Sequence, residues 1–226
     1  MTKRKYLMWW DVVIISMILF GFAIWNSTQV FLSTDSQVLE HATEFTKWDN
    51  LFGIFTIVVE LSIAFVYLKL RKFDFSQWKY KITMKDTVRA VFIFLLLSVL
   101  MDLSSILYLG FKEATAYVGY GGIWYVLAEI DASLIVFSLL NGIYEEIFFL
   151  GICTSVPESQ RKAVFFYSLI IRTSFHTYQG LGSALSIGLV IGSVYYLLYK
   201  KDKNLYPYML SHSFADIFGA GILILL

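Results

Sequence analysis

Three short stretches in the C-terminal half hold side chains able to do acid–base chemistry where the surroundings are otherwise apolar. Glu145 and Glu146 sit side by side in Asn141-Gly142-Ile143-Tyr144-Glu145-Glu146-Ile147-Phe148-Phe149-Leu150. Arg172 and His176 stand four residues apart, as do His212 and Asp216, a spacing that puts each pair on one face of a helix. Adjacent helix positions point about 100° apart, so the two glutamates need different partners: one does chemistry while the other holds structure, or both are structural carboxylates bonded to neighbouring helices. A carboxylate withdrawn from bulk water can take a proton from a water molecule as a general base. A histidine beside it can orient that water or share the proton, and a second histidine with Asp216 can donate to an oxyanion. Glu145, His176 and His212 are also acceptable zinc ligands. The chain has no His-Glu-x-x-His pattern, so no metal ligand is assigned and zinc is kept as the alternative.

These groups stand in a chain built for the bilayer. Of its 226 residues, 58% are hydrophobic and 18% aromatic, whereas 15% are charged. A soluble domain carries roughly 25% charged residues. Nothing in this composition supports nucleic-acid binding. The lone cysteine, Cys153, has no partner for an internal disulfide and reads as a small buried side chain. The basic start at Lys3-Arg4-Lys5 is followed by an apolar run too long for a signal peptide.

A crossing helix needs about 20 mainly apolar residues. Seven segments are predicted to cross, near Trp9–Phe31, Leu51–Leu70, Val88–Gly110, Ala132–Val156, Ala163–Tyr178, Leu181–Tyr199 and Leu205–Leu226. Pro157 ends the fourth, and Pro207 falls in the first turn of the seventh, where a missing N–H costs little. Of the eighteen Lys and Arg residues, fifteen fall in connectors on one side, Lys47 and Lys112 fall on the other, and Arg172 lies within a span. The positive-inside rule then places the N-terminus in the cytoplasm and the C-terminus outside. The stretch 116–131, aromatic and glycine-rich, reads as interfacial or re-entrant, with an additional span as the alternative. The segment 73–80 reads equally as a headgroup-level element or a plain basic loop. Gly188 and Gly192 let a neighbouring helix come close. His41 sits in an acidic external loop and reads as solvated.

Helical rise places Glu145 about 18 Å from the end at Pro157 and His176 about 20 Å from Ala163, with His212 and Asp216 about 10 and 16 Å from Leu205. The ionisable groups therefore converge on one central layer, where unpaired charge is costly. Asp11, near a span end, is expected to snorkel. Glu60 and Asp102 are further acids within spans, and Glu129 and Asp131 lie in the 116–131 stretch.

The three stretches resemble the motifs of the CAAX-protease and bacteriocin-processing (CPBP, or Abi) intramembrane proteases. Glu145-Glu146 is similar to the family's Glu-Glu-x-x-x-Arg, with Leu150 in the place of its Arg. Arg172 to Gly180 is similar to an Arg-x-x-x-His-x-Tyr-x-Gly variant of the second motif, and His212 with Asp216 to the third, His-x-x-x-Asn/Asp. The resemblance spans roughly Ser138–Phe218. It implies an all-α integral membrane fold, a single membrane domain over 1–226, in which helices and loops of 1–131 precede a four-helix catalytic core at 132–226. It further implies an intramembrane endopeptidase in which Glu145 with His176 activates water, while His212 with Asp216 supports the oxyanion. The resemblance favours a glutamate-activated water over a metal and requires no cofactor. The substrate would be a peptide or membrane-protein segment, in a bacterial plasma membrane.

With Leu150 in the arginine position, Glu146 needs another cation, and Arg172 at matching depth is expected to pair with it. The alternative reading is a catalytically impaired member acting as a bacteriocin-immunity or regulatory scaffold; a small transporter using Glu60 and Asp102 is a third. The topology expectation has a direct check: reporter fusions at Lys79 and after Leu226 report opposite compartments, and the same compartment for both refutes an odd number of crossings.

Overall fold

The computed structural model describes residues 4–35, 46–115 and 122–225. Within hydrocarbon a lone segment must satisfy its own backbone groups, which is why the apolar runs form helices. Among the described residues the regular elements are all helical: α1 (Trp9–Leu32), α2 (Lys47–Leu70), α3 (Met84–Leu109), α4 (Phe111–Ala114), α5 (Gly122–Glu129), α6 (Ala132–Glu146), α7 (Glu158–Ser174), α8 (Leu181–Leu185), α9 (Gly192–Asp202) and α10 (Tyr206–Phe218). Two π-helical stretches interrupt the regular winding. Ile147–Ile152 prolongs α6 directly after Glu146, and Ser186–Ile191 joins α8 to α9. Thr46, Thr83 and Asp131 cap the starts of α2, α3 and α6 by accepting backbone N–H groups that the helix leaves unpaired. Bonds from the Ser133 hydroxyl and the Leu134 N–H hold the Asp131 carboxyl below its ordinary range.

The all-α integral membrane class is as expected, and five helices are long and apolar enough to cross: Trp9–Leu32, Lys47–Leu70, Met84–Leu109, Ala132–Ile152 and Leu181–Asp202. Two of the seven expected crossings are shorter. α7 has 17 residues and α10 has 13, or about 25 and 20 Å of helix against a hydrocarbon core of about 30 Å. α10 stops at Phe218 because Gly219 takes φ 88° and ψ 156°, a conformation open essentially to glycine alone. Pro157 does more than follow a helix: it is the N-cap of α7, which begins five residues before the expected Ala163. Glu40, His41, Glu44 and residues 116–121 lie outside the described residues, while α5 is an eight-residue helix with Trp124 and Tyr125 exposed.

The segment 73–80 is a loop tucked under the bundle. Phe73 is buried, and the Trp78 indole N–H donates to the Gly151 carbonyl at 3.2 Å. Asp11 does not snorkel. It is buried and accepts from Arg71 Nε at 2.6 Å and from the Tyr67 hydroxyl at 2.7 Å, tying the ends of α1 and α2 together. Cys153 is buried, as its surroundings suggested.

Glycines set the closest approaches. A Cβ on Gly142 would run into the Met209 carbonyl and lie 2.6 Å from Ser213 Oγ, so α6 and α10 touch backbone to backbone there. One on Gly188 would strike Thr173, and one on Gly192 would lie 2.7 Å from a Leu169 methyl, so the paired glycines seat this helix against α7. Two buried clusters flank the middle of the bundle. One joins Val12, Ile15, Leu19 and Phe20 of α1 to Phe148, Phe149 and Phe175. The other joins Ile93 and Leu97 of α3 to Leu150, Ile191, Tyr195 and Tyr208. Gly142→Ala should push α6 from α10 and cost about 1–3 kcal/mol, as overpacking usually does. Thermal melting in detergent checks this, and an unchanged midpoint would mean the two backbones are not in the contact described.

Candidate active site

Between these clusters lies a layer of buried ionisable groups. α6 delivers Glu145 and Glu146, exposed by 3% and 0%, α7 delivers Arg172 at 1%, and α10 delivers His212 at 8%. Glu146 is the hub. Its Oε1 accepts from Arg172 Nη2 at 2.8 Å and faces His212 Nδ1 at 2.7 Å. The pairing expected of Arg172 and Glu146 is therefore formed. The guanidinium also lies over the Phe149 ring, 4.0 Å from its centre, with Tyr195 on another side at 5.7 Å. Leu150 is buried at 1% in the cluster that contains Tyr195, so an apolar side chain fills the family's arginine position while the cation arrives from α7.

Since the carboxylate accepts at Nδ1, the other ring nitrogen of His212 points away from Glu146. Nε2 lies 3.6 Å from Glu145 Oε1 and 3.7 Å from Asp216 Oδ1, too long for a direct hydrogen bond to either. Asn141 bridges those two acids. Its Nδ2 donates to Asp216 Oδ2 at 2.9 Å and reaches Glu145 Oε1 at 3.3 Å. Asn141 was missed as a site residue in the sequence, although it stands one turn before Glu145, the spacing that flagged the other pairs. Two carboxylate oxygens, Glu145 Oε2 and Glu146 Oε2, are buried without a hydrogen-bond partner among the described residues. A buried acceptor of this kind calls for a donor, whether a proton, a water or a ligand.

His176 is placed differently from the expectation. It lies past the end of α7, and its Nδ1 is 2.7 Å from the Arg172 carbonyl. A carbonyl only accepts, so Nδ1 carries the proton and Nε2 of the neutral ring has a free lone pair. The histidine that faces Glu145 is His212, not His176. α1 holds the His176 turn. The Ser27 hydroxyl meets Thr177 Oγ1 at 2.9 Å and accepts the Tyr178 N–H at 2.8 Å, while Phe20 stacks on Phe175 at 4.8 Å. Nothing in the spacing of α1 marked Ser27, because its partner is 150 residues away.

Ligand atoms of Glu145, Glu146 and His212 lie within 4.8 Å of one another, a spacing able to hold a metal ion. His176, named with Glu145 and His212 in the zinc alternative, is not in that group. The acids that suggested a transporter are engaged elsewhere: Glu60 accepts from the Tyr144 hydroxyl at 2.6 Å, and Asp102 accepts the Ile222 and Leu223 N–H groups at 2.8 and 3.1 Å. An apolar groove of about 260 Å³ between Phe166, Ile170, Leu185 and Leu189 carries no titratable group.

This geometry gathers two carboxylates, an arginine and a histidine in the interior of a helical membrane protein. Residues 128–218 match the model of the family described as type II CAAX prenyl endopeptidase Rce1-like. The segment that carries the site is therefore similar to the CPBP, or CAAX-protease, family, a family of membrane endopeptidases. Comparison with curated proteins and with solved structures gave no match.

The buried triad can be tested by itself. Removing one member of a buried ion pair costs roughly 3–5 kcal/mol, so Arg172→Leu and Glu146→Leu should each lower the detergent melting point sharply. The double variant should recover much of that loss but not all, since His212 also loses its acceptor. Strictly additive losses would mean the two side chains do not interact.

Proposed function

We propose that the chain is an intramembrane endopeptidase that hydrolyses a peptide bond with water activated at Glu145. The observation that carries this reading is the unpartnered Glu145 Oε2, buried beside a histidine that a second carboxylate holds in orientation. Glu145 takes a proton from water, and the resulting hydroxide oxygen attacks the scissile carbonyl carbon. As the carbonyl oxygen gains charge, the His212 imidazolium donates to it from Nε2, with Asn141 Nδ2 close enough to Glu145 and Asp216 to assist. Collapse of the tetrahedral intermediate breaks the C–N bond, and the proton held by Glu145 passes to the leaving amine. Glu146 and Arg172 act through His212 and touch no substrate in this scheme. His176, with its Nε2 lone pair free, can accept a hydrogen bond from water or substrate at the site's edge. Asp216 completes the cage around His212 Nε2.

A directly activated water suits the site better than zinc. Glu146 Oε1 already accepts from two donors, and a guanidinium 2.8 Å away repels a second cation. Were a metal to bind, Glu145, Glu146 and His212 would hold it and it would polarise the bound water. The substrate is a peptide or membrane-protein segment, and the location a bacterial plasma membrane with the N-terminus in the cytoplasm. The impaired-scaffold reading rests on Leu150 alone; Arg172 supplies the charge that Leu150 lacks, so the active reading is preferred.

The test compares membrane peptides from cells producing the native chain with those producing Glu145→Gln. Glutamine keeps the volume but cannot act as the base, so a cleavage product should disappear, and His212→Ala should lower its formation on the order of 100-fold or more. Identical products from both chains would overturn the peptidase reading and leave the scaffold. Loss of cleavage with a chelator, restored by zinc, would move the mechanism to the metal.

A further inference from the structure

The site is closed toward one end of the bundle and open toward the other. Toward the end that carries Lys69, Arg71, Arg89, Lys162, Lys200 and Lys201, the layer beneath the acids is solid. Leu150, Tyr195, Tyr199, Leu205 and Tyr208 are all buried at 4% or less, and the Tyr195 and Tyr199 rings both meet Tyr208 edge-on. Polar ties close that end further. Arg89 forms an ion pair with Asp202 and donates to the Tyr208 hydroxyl, while Lys81 and Asn204 exchange hydrogen bonds across the loop.

Exposure rises in the opposite direction. The Glu146 side chain is fully buried, that of Glu145 is 5% exposed, that of His212 10%, and that of Asp216, one turn further along α10, 23%. Beyond them the rim is polar and partly exposed, formed by Asn141, His176, Thr177 and Gln179. This is the end of the acidic loops, where Asp35, Asp49, Glu113, Glu129 and Asp131 outnumber Lys47 and Lys112. A peptide strand cannot pass the packed tyrosine layer without unfolding it, whereas the Asp216 side chain at the opposite rim is partly exposed.

We infer that substrate enters from the acidic-loop end, so that this chain acts on peptide segments presented at the non-cytoplasmic leaflet, as the positive-inside rule orients the bundle. The inference rests on the peptidase reading for the identity of what enters, but the route itself can be read without turnover. Single cysteines at Gln179, Asp216 and Lys201 are labelled in intact cells with a membrane-impermeant maleimide, and the buried native Cys153 serves as the unreactive reference. Gln179→Cys and Asp216→Cys should label without permeabilisation, whereas Lys201→Cys should label only after it. Labelling of Asp216→Cys only after permeabilisation, together with Lys201→Cys, would overturn the inference. So would an Asp216→Cys that stays unlabelled in both conditions while Gln179→Cys reacts, since the rim would then not lead to the site. Gln179→Cys lies on an exposed turn and reports the side even if Asp216→Cys folds poorly. Because labelling requires no cleavage, it can hold when Glu145→Gln leaves the peptide pattern unchanged, and the two failures remain distinct.

Discussion

A single carboxylate oxygen, Glu146 Oε1, organises the centre of this protein by accepting at once from Arg172 and His212. Charge at this depth is tolerable only when paired and hydrogen-bonded, so three helices, α6, α7 and α10, are constrained to one arrangement around it. The aromatic faces of Phe149 and Tyr195 flank the guanidinium. His212 then has one nitrogen committed to structure and the other turned toward Glu145 and Asp216. The two adjacent glutamates part by helix geometry: one faces the Arg172 cation and the other faces Asn141 and His212 Nε2.

Backbone contact makes that arrangement possible. α6 and α10 approach closely at Gly142, against the Met209 carbonyl and Ser213, which brings Glu145 near His212 without long, flexible connections. Gly188 and Gly192 do the same for the helix that backs α7. The π-helical stretch after Glu146 changes the winding at the point where the site ends and the packed floor begins, a location typical of such irregularities. The N-terminal helices contribute as well. α1 secures the His176 turn through Ser27 and Phe20, and α3 supplies Ile93 and Leu97 to the floor. The segment matched to the family is thus supported by helices outside the match.

The sequence by itself determined the solvent and the helical class, and it singled out the ionisable residues that the structure gathers. Apolar runs of crossing length leave the backbone no alternative to helices, and ionisable residues inside them stand out because hydrocarbon makes them costly. Spacing of four revealed the Arg172–His176 and His212–Asp216 faces, and the absent arginine at Leu150 pointed to Arg172 as the substitute partner. Tertiary structure alone decided which histidine faces Glu145, because that depends on where α7 ends. The helix stops at Ser174, so His176 turns back onto the Arg172 carbonyl, and His212 takes the place beside Glu145. Asn141, Ser27 and the burial of Asp11 were likewise settled by partners on other helices. A one-dimensional pattern records which face a residue occupies on its own helix; the neighbour across the gap is fixed only when glycine contacts and buried charge choose one packing.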